Sequence, residues 1–168
     1  LITTNVFSAE YFMNVPHTNG YDSTQKDLSI HHISAKEYWI LNRTAGTSNV
    51  AVTLSWQTSR SGVVNSLPDL KVARWNGTTW KDEGNGGTTG SNAAGTVVSA
   101  AAVSNFSPFT LASATMLNPL PVHVVSFTAS QKNGQVLLKW IAENEINFLR
   151  YEIERSSDAI NFVMFTSV

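Results

Sequence analysis

The chain has no cysteine. That excludes disulfides, thiolate metal centres and cysteine nucleophiles. It leaves the compartment open, because a domain of this size holds together on its core alone. Charge is scarce as well: charged residues are 14% of the chain and the net charge is −1, against about 25% charged residues in an average soluble domain. Such a chain lacks the concentrated basic face that nucleic acid requires. No apolar run reaches the length of about 18 residues that a membrane-spanning helix needs. An initiator Met and a signal-peptide pattern are both missing, which reads as a processed or excised piece.

What is present points to an all-β protein. Hydrophobic residues are 42% of the 168 residues, enough for a packed core, and aromatic and β-branched residues run throughout, which argues against disorder. Asn, Ser, Thr and Gly fill the space that charge leaves, as in β-rich extracellular modules. Residues 49–56 alternate, with Val50, Val52, Leu54 and Trp56 on one face, the pattern of a half-buried strand. Residues 7–12, 70–75, 79–81, 95–103 and 108–112 read as further strands, and 37–43 is an apolar run too short for a helix. Asn76-Gly77 is the pair that most readily takes the positive φ angles of a tight hairpin turn. Seven or eight short strands with turn signals between them predict an antiparallel β-sandwich.

The Gly-rich stretch 84–95 raises the question of a phosphate cradle. Such a loop needs a strand before it and a helix after it. Here Thr96-Val97-Val98 reads as strand, so a surface hairpin loop is expected. Pro119 and Pro121 stiffen residues 117–121 and remove two amide donors, which marks a hinge. The predicted organisation is a β-sandwich at 1–116, the hinge at 117–121, and a second all-β unit at 122–168. In that unit 122–129, 135–142 and 150–155 read as strands, with Val136, Leu138 and Trp140 on one face and a turn at Lys132-Asn133-Gly134-Gln135. About four strands follow the hinge, so the second unit is expected to be incomplete. An incomplete unit leaves an open edge and an apolar face.

The stretches NFSPFTLAS, NPLPV-x-VVSFTA, V-x-L-x-W and Y-x-IERSSD-x-x-x-F resemble a pattern of large secreted Bacteroidetes proteins. There it precedes the sorting domain of the type IX secretion system. By this resemblance the second unit is similar to the first half of an immunoglobulin/fibronectin type III-like domain. The EYWILNRTAGTSNVAVTLSW and DLKVARWNGTTW segments are similar to the sandwich ahead of it. The resemblance implies an extracellular or outer-cell-surface location. It does not specify an activity. The pattern carries Ser-Asp-Gly at one turn where this chain has Ala159; an Asp or Asn can supply the left-handed residue instead, and a strained or altered turn is the other reading.

Candidates for chemistry are few. His31 and His32, as strand neighbours, should point to opposite faces and not share an ion; His17 and His123 are scattered. Glu143 and Glu145 fall in a loop, not across a cleft as glycoside chemistry requires. Asp82, Glu83 and Asn85 offer calcium-type oxygens without the spacing of a known loop. No nucleophile elbow or Ser-His-Asp spacing occurs, and no metal site or cofactor is expected. Trp56 and Trp140 are expected in the core. Trp75 and Trp80 flank the Asn76-Gly77 turn, where they either stack on sugar rings or pack on each other and the sheet. Asp22-Ser23-Thr24 matches the short O-glycosylation pattern associated with that phylum, with Ser23 as acceptor and a plain turn as the other reading. The sequons at Asn42, Asn76 and Asn105 are incidental in a bacterial protein.

The expected function is a non-catalytic structural or adhesive module, a stalk or spacer of a secreted bacterial surface protein. Its partners would be other copies or neighbouring domains, with assembly into a filament by strand complementation. The alternative is a carbohydrate-binding module that takes polysaccharide on Trp75 and Trp80.

Overall fold

The structure is a computed structural model that describes residues 4–106, 108–118, 123–143 and 150–168. It is all-β and antiparallel. In the first unit a large sheet joins β1 (Val6–Phe12), β3 (Tyr38–Ala45), β9 (Phe109–Ser113), β5 (Leu70–Trp75) and β6 (Trp80–Gly84) in that order, with the short β2 (His32–Ile33) also on β9. A smaller sheet runs β4 (Thr53–Gln57), β8 (Ala94–Val98) and β7 (Gly87–Gly90). Between the sheets lies a core of Val52, Leu54, Trp56, Leu70, Val72, Val97, Phe109 and Leu111. The alternation in the sequence delivers these side chains, since period two places residues 52, 54 and 56 on one face of β4.

The large sheet is covered on both faces, and this explains its central strands. Leu70 and Val72 enter the inter-sheet core, while Ala73 and Trp75 enter a second core on the opposite face with Ile30, Ile33, Trp80 and Ala112. Every residue of β9 is buried, as expected of a strand covered twice. The cover on the second face comes from the segment ahead of β3, which contributes Tyr21, Ile30 and Ile33.

Several predicted elements shift in detail. β4 is shorter than the predicted strand, with Val50 reduced to a bridge to Val103. The 37–43 run is the strand β3. The Gly-rich stretch is a hairpin, as expected, but it is not all loop: β7 pairs with β8 along four positions. Gly95 on β8 faces Trp56 on β4. A Cβ there would lie 2.5 Å from Trp56 Cζ2, so only glycine leaves room for the indole. The Asn76-Gly77 turn is also longer than a two-residue turn. Trp75 pairs with Trp80, which leaves four residues in the loop. Asn76 organises them through its side chain, whose Oδ1 accepts from the amides of Thr78 and Thr79 at 3.0 and 2.8 Å. That is the local bonding for which Asn is favoured in turns.

The second unit consists of two hairpins. β10 (His123–Lys132) pairs with β11 (Gln135–Glu143) through Asn133 (φ 53°) and Gly134 (φ 77°). Two successive positive φ values are those of a type I′ turn. β12 (Glu152–Arg155) pairs with β13 (Val163–Ser167). Of the predicted hinge, Pro119, Leu120 and Pro121 lie outside the described residues. Asn118 is described, and it is fully buried within the first unit.

Candidate functional site

The open surface of the protein is in the second unit. Each hairpin is a two-stranded sheet, so each of its strands has one unpaired edge among the described residues. The hairpins meet where the Trp140 and Tyr151 rings pack edge to face at 5.2 Å. Between them lies a cleft of about 700 Å³ lined by Phe127, Val136, Leu138, Trp140, Ile153 and Phe165, among others. None of the described residues of 123–168 is buried. Phe127 is 63% exposed, Val136 68% and Phe165 61%. Trp140, expected in a core, is therefore only half-buried: its strand face is apolar, but among the described residues no second layer closes over it.

The first unit is different, because its polar residues are engaged internally. Trp75 and Trp80, the candidate sugar platform, are 8% and 0% exposed and pack at 5.5 Å with planes tilted by 57°. Tyr21 closes over both at 6.3 Å. The sugar-stacking reading is corrected here: the N-terminal segment covers the faces that a sugar ring would need. Packing on each other and on the sheet is the arrangement found.

The calcium-type side chains are likewise occupied. Asp82 is paired with Lys71 and accepts from Ser29 at 2.5 Å. Glu83 is paired with Arg74 at 2.6 Å. Asn85 donates to the carbonyls of Leu67 and Leu70 and accepts from Gly87 N. Asp22-Ser23-Thr24 is a turn in which Asp22 Oδ1 accepts from Thr24 N at 2.9 Å and Thr24 Oγ1 at 2.7 Å. These bonds hold the Asp22 carboxyl below its usual range. Ser23 is half-buried with its hydroxyl 3.2 Å from His17 Nδ1. Glu145 and the side chains of Glu143 and His123 lie outside the described residues.

Two buried polar clusters were not legible in the sequence. In the first, Glu37 is fully buried; its Oε2 accepts from the Tyr11 hydroxyl at 2.8 Å and lies 3.5 Å from Arg60 Nη1. The Arg60 guanidinium also covers the Tyr11 ring at 5.1 Å. Burial, reinforced by Glu37, pushes the Tyr11 phenol up. Glu37 Oε1 has no hydrogen-bond partner among the described residues. The cluster ties the edge strand β1 to the turn after β4.

The second cluster centres on Asn118. Its Oδ1 accepts from the amides of Asn65 and Ser66 at 2.9 and 2.8 Å, and its Nδ2 donates to Ser66 O at 2.9 Å. Ser113 Oγ donates to Asp69 Oδ2 beside it. The Asn118 carbonyl accepts from His32 Nε2 at 2.6 Å. A carbonyl only accepts, so His32 carries its proton on Nε2 and leaves Nδ1 bare. That Nδ1 lies 3.0 Å from His31 Nδ1. Burial holds the His32 imidazole down at about 4, against the Asn118 carbonyl, which favours its charged form. Ser113, Asp69 and His32 thus meet without forming a triad. The hydroxyl donates to the carboxylate, the imidazole is bound to a carbonyl, and the serine is sealed from solvent.

The expectation that His31 and His32 diverge is overturned. β2 begins at His32, so His31 is not on the strand and the alternation of faces does not apply to it. No protein-family model matches the chain, and comparison with curated proteins and with solved structures likewise finds no match.

Proposed function

We propose that this chain is a structural or adhesive module of a secreted bacterial surface protein, acting as a stalk or spacer at the outer cell surface. In this reading a strand from a neighbouring copy or domain completes the second unit. The observation that carries it is the contrast between the two units. The first sandwich has both faces of its large sheet covered. The second presents Phe127, Val136 and Phe165 to solvent beside unpaired strand edges. Two-stranded hairpins are marginal alone, and an added strand supplies both the missing backbone bonds and the missing apolar layer.

A role without chemistry is supported by the commitment of the polar clusters to internal bonds. The extracellular location rests on the resemblance carried by the 105–162 motifs and on the low charge. The carbohydrate alternative loses its aromatic platform, because Trp75 and Trp80 are buried.

Light scattering and negative-stain microscopy of the 168-residue chain across a concentration series test the proposal. Association that grows with concentration and is abolished by Phe127→Asp or Phe165→Asp is expected. A monomer that stays soluble at high concentration would overturn it.

A further inference from the structure

The juxtaposed imidazoles of His31 and His32 have the features of a half-built metal site. Their Nδ1 atoms are 3.0 Å apart with ring planes at 87°. His32 Nε2 is held at 2.6 Å by the Asn118 carbonyl, and that carbonyl belongs to a residue fixed by the amides of Asn65 and Ser66. A metal-ligating histidine characteristically donates its other ring N–H to a carbonyl or carboxylate, which fixes tautomer and orientation. His32 is arranged in this way, with the bare Nδ1 directed at its neighbour. His31 is solvent-exposed, so its side of the pair is open to an entering ion.

We infer that His31 and His32 bind a divalent transition-metal ion through their two Nδ1 atoms, with copper(II) preferred. Copper(II) is preferred because, among divalent first-row ions, affinity for a nitrogen-donor site peaks at copper. No third histidine, cysteine or carboxylate joins the pair among the described residues, so water fills the remaining positions. Of the charged groups near His32, Asp69 favours a cation and Lys26 opposes it. On binding, His31 gives up the proton on Nδ1 and takes one on Nε2 through solvent, so its ring stays neutral and both Nδ1 lone pairs are free for the metal.

The test is titration of the full chain with copper(II), followed by calorimetry and pulsed electron paramagnetic resonance. One ion per chain with two imidazole nitrogens coupled to it is expected. His31→Ala, an exposed substitution that leaves the Asn118 bonds in place, should weaken binding at least tenfold and reduce the coupling to one imidazole. Removal of the other two histidines, in His17→Ala/His123→Ala, should leave both readouts unchanged. A single coupled imidazole in the unmodified chain, or equal affinity in His31→Ala, would overturn the assignment.

Discussion

Gly95 on β8 pairs with Trp56 on β4, and the Trp56 ring occupies the space that a side chain at Gly95 would need. The indole is 1% exposed and donates through Nε1 to the Ser91 carbonyl at 3.1 Å, so it has no lower-energy place to move. A Cβ at 95 also presses on the Thr89 backbone of β7. Gly95→Ala is therefore expected to lower stability by about 1–3 kcal/mol, the usual range for overpacking. A urea melt followed by tryptophan fluorescence reads this out. An unchanged midpoint would mean that the small sheet yields more readily than its packing suggests.

Trp80 is the larger test of the second core. It is fully buried and contacts Tyr21 and Trp75. Trp80→Ala is expected to cost about 3–5 kcal/mol, as for other large aromatic deletions. Trp75→Phe keeps most of the packing and should leave the fold intact. If the unmodified chain binds a polysaccharide and Trp75→Phe abolishes that binding at unchanged stability, the indole has a ligand role that its burial argues against.

The difference between these indoles and Trp140 shows how far the sequence could be read. Strand alternation placed Trp56 and its partners correctly, because period two is a local property of the backbone. What alternation cannot report is whether a second layer covers a given face. For Trp75 and Trp80 the sequence left sugar stacking and packing on the sheet both open, because their cover comes from a segment some fifty residues earlier, around Tyr21 and Ile30. Trp140 looked buried because its strand is apolar, yet its face is open. The polar clusters were illegible for the same reason. His32 and Asn118 are 86 residues apart, and no local pattern predicts that one residue before a Pro-rich link should be sealed inside the first sandwich.

Asn118 supplies a prediction of its own. Removing its side chain takes a partner from the amides of Asn65 and Ser66 and the carbonyl of Ser66, in part-buried bonds, and from the buried Asp69 and Ser113. Each unsatisfied buried group costs about 1–3 kcal/mol. Asn118→Ala should therefore lower stability by at least about 2 kcal/mol and speed hydrogen exchange at Asn65 and Ser66 in particular. Unaltered exchange at those two amides would show that Asn118 is not their anchor.

The Asn118–His32 bond also carries a pH dependence. Folded His32 titrates at about 4, whereas a free imidazole titrates at about 6.5. Between those values the unfolded chain holds more protons than the folded one, so folding stability falls as pH drops. The contribution is fully present above pH 6.5 and diminishes towards pH 4, by up to about 3 kcal/mol. Denaturant midpoints measured in chelator-containing buffer across this window should fall with acid. His32→Gln, which retains a donor for the Asn118 carbonyl, should flatten that slope. An equal slope in the variant would assign the acid sensitivity to other groups.

The last prediction concerns the β12–β13 hairpin, where Ala159 departs from the glycine of the resembled pattern. The alanine itself takes the left-handed conformation, at φ 59°; no neighbouring Asp or Asn relieves it. Asp158 organises the turn instead. Its Oδ1 accepts from the amides of Ile160 and Asn161 at 2.9 and 2.8 Å. The Asn161 bonds lead in holding its carboxyl well below the usual range. A left-handed non-glycine residue costs about 1–2 kcal/mol, partly offset in glycine by its greater freedom when unfolded. Ala159→Gly should thus stabilise the hairpin by up to about 1 kcal/mol, seen as slower amide exchange at Ile153 and Thr166, which pair across it. Faster exchange in the glycine variant would mean that the stiffness of alanine, and not its strain, governs the turn.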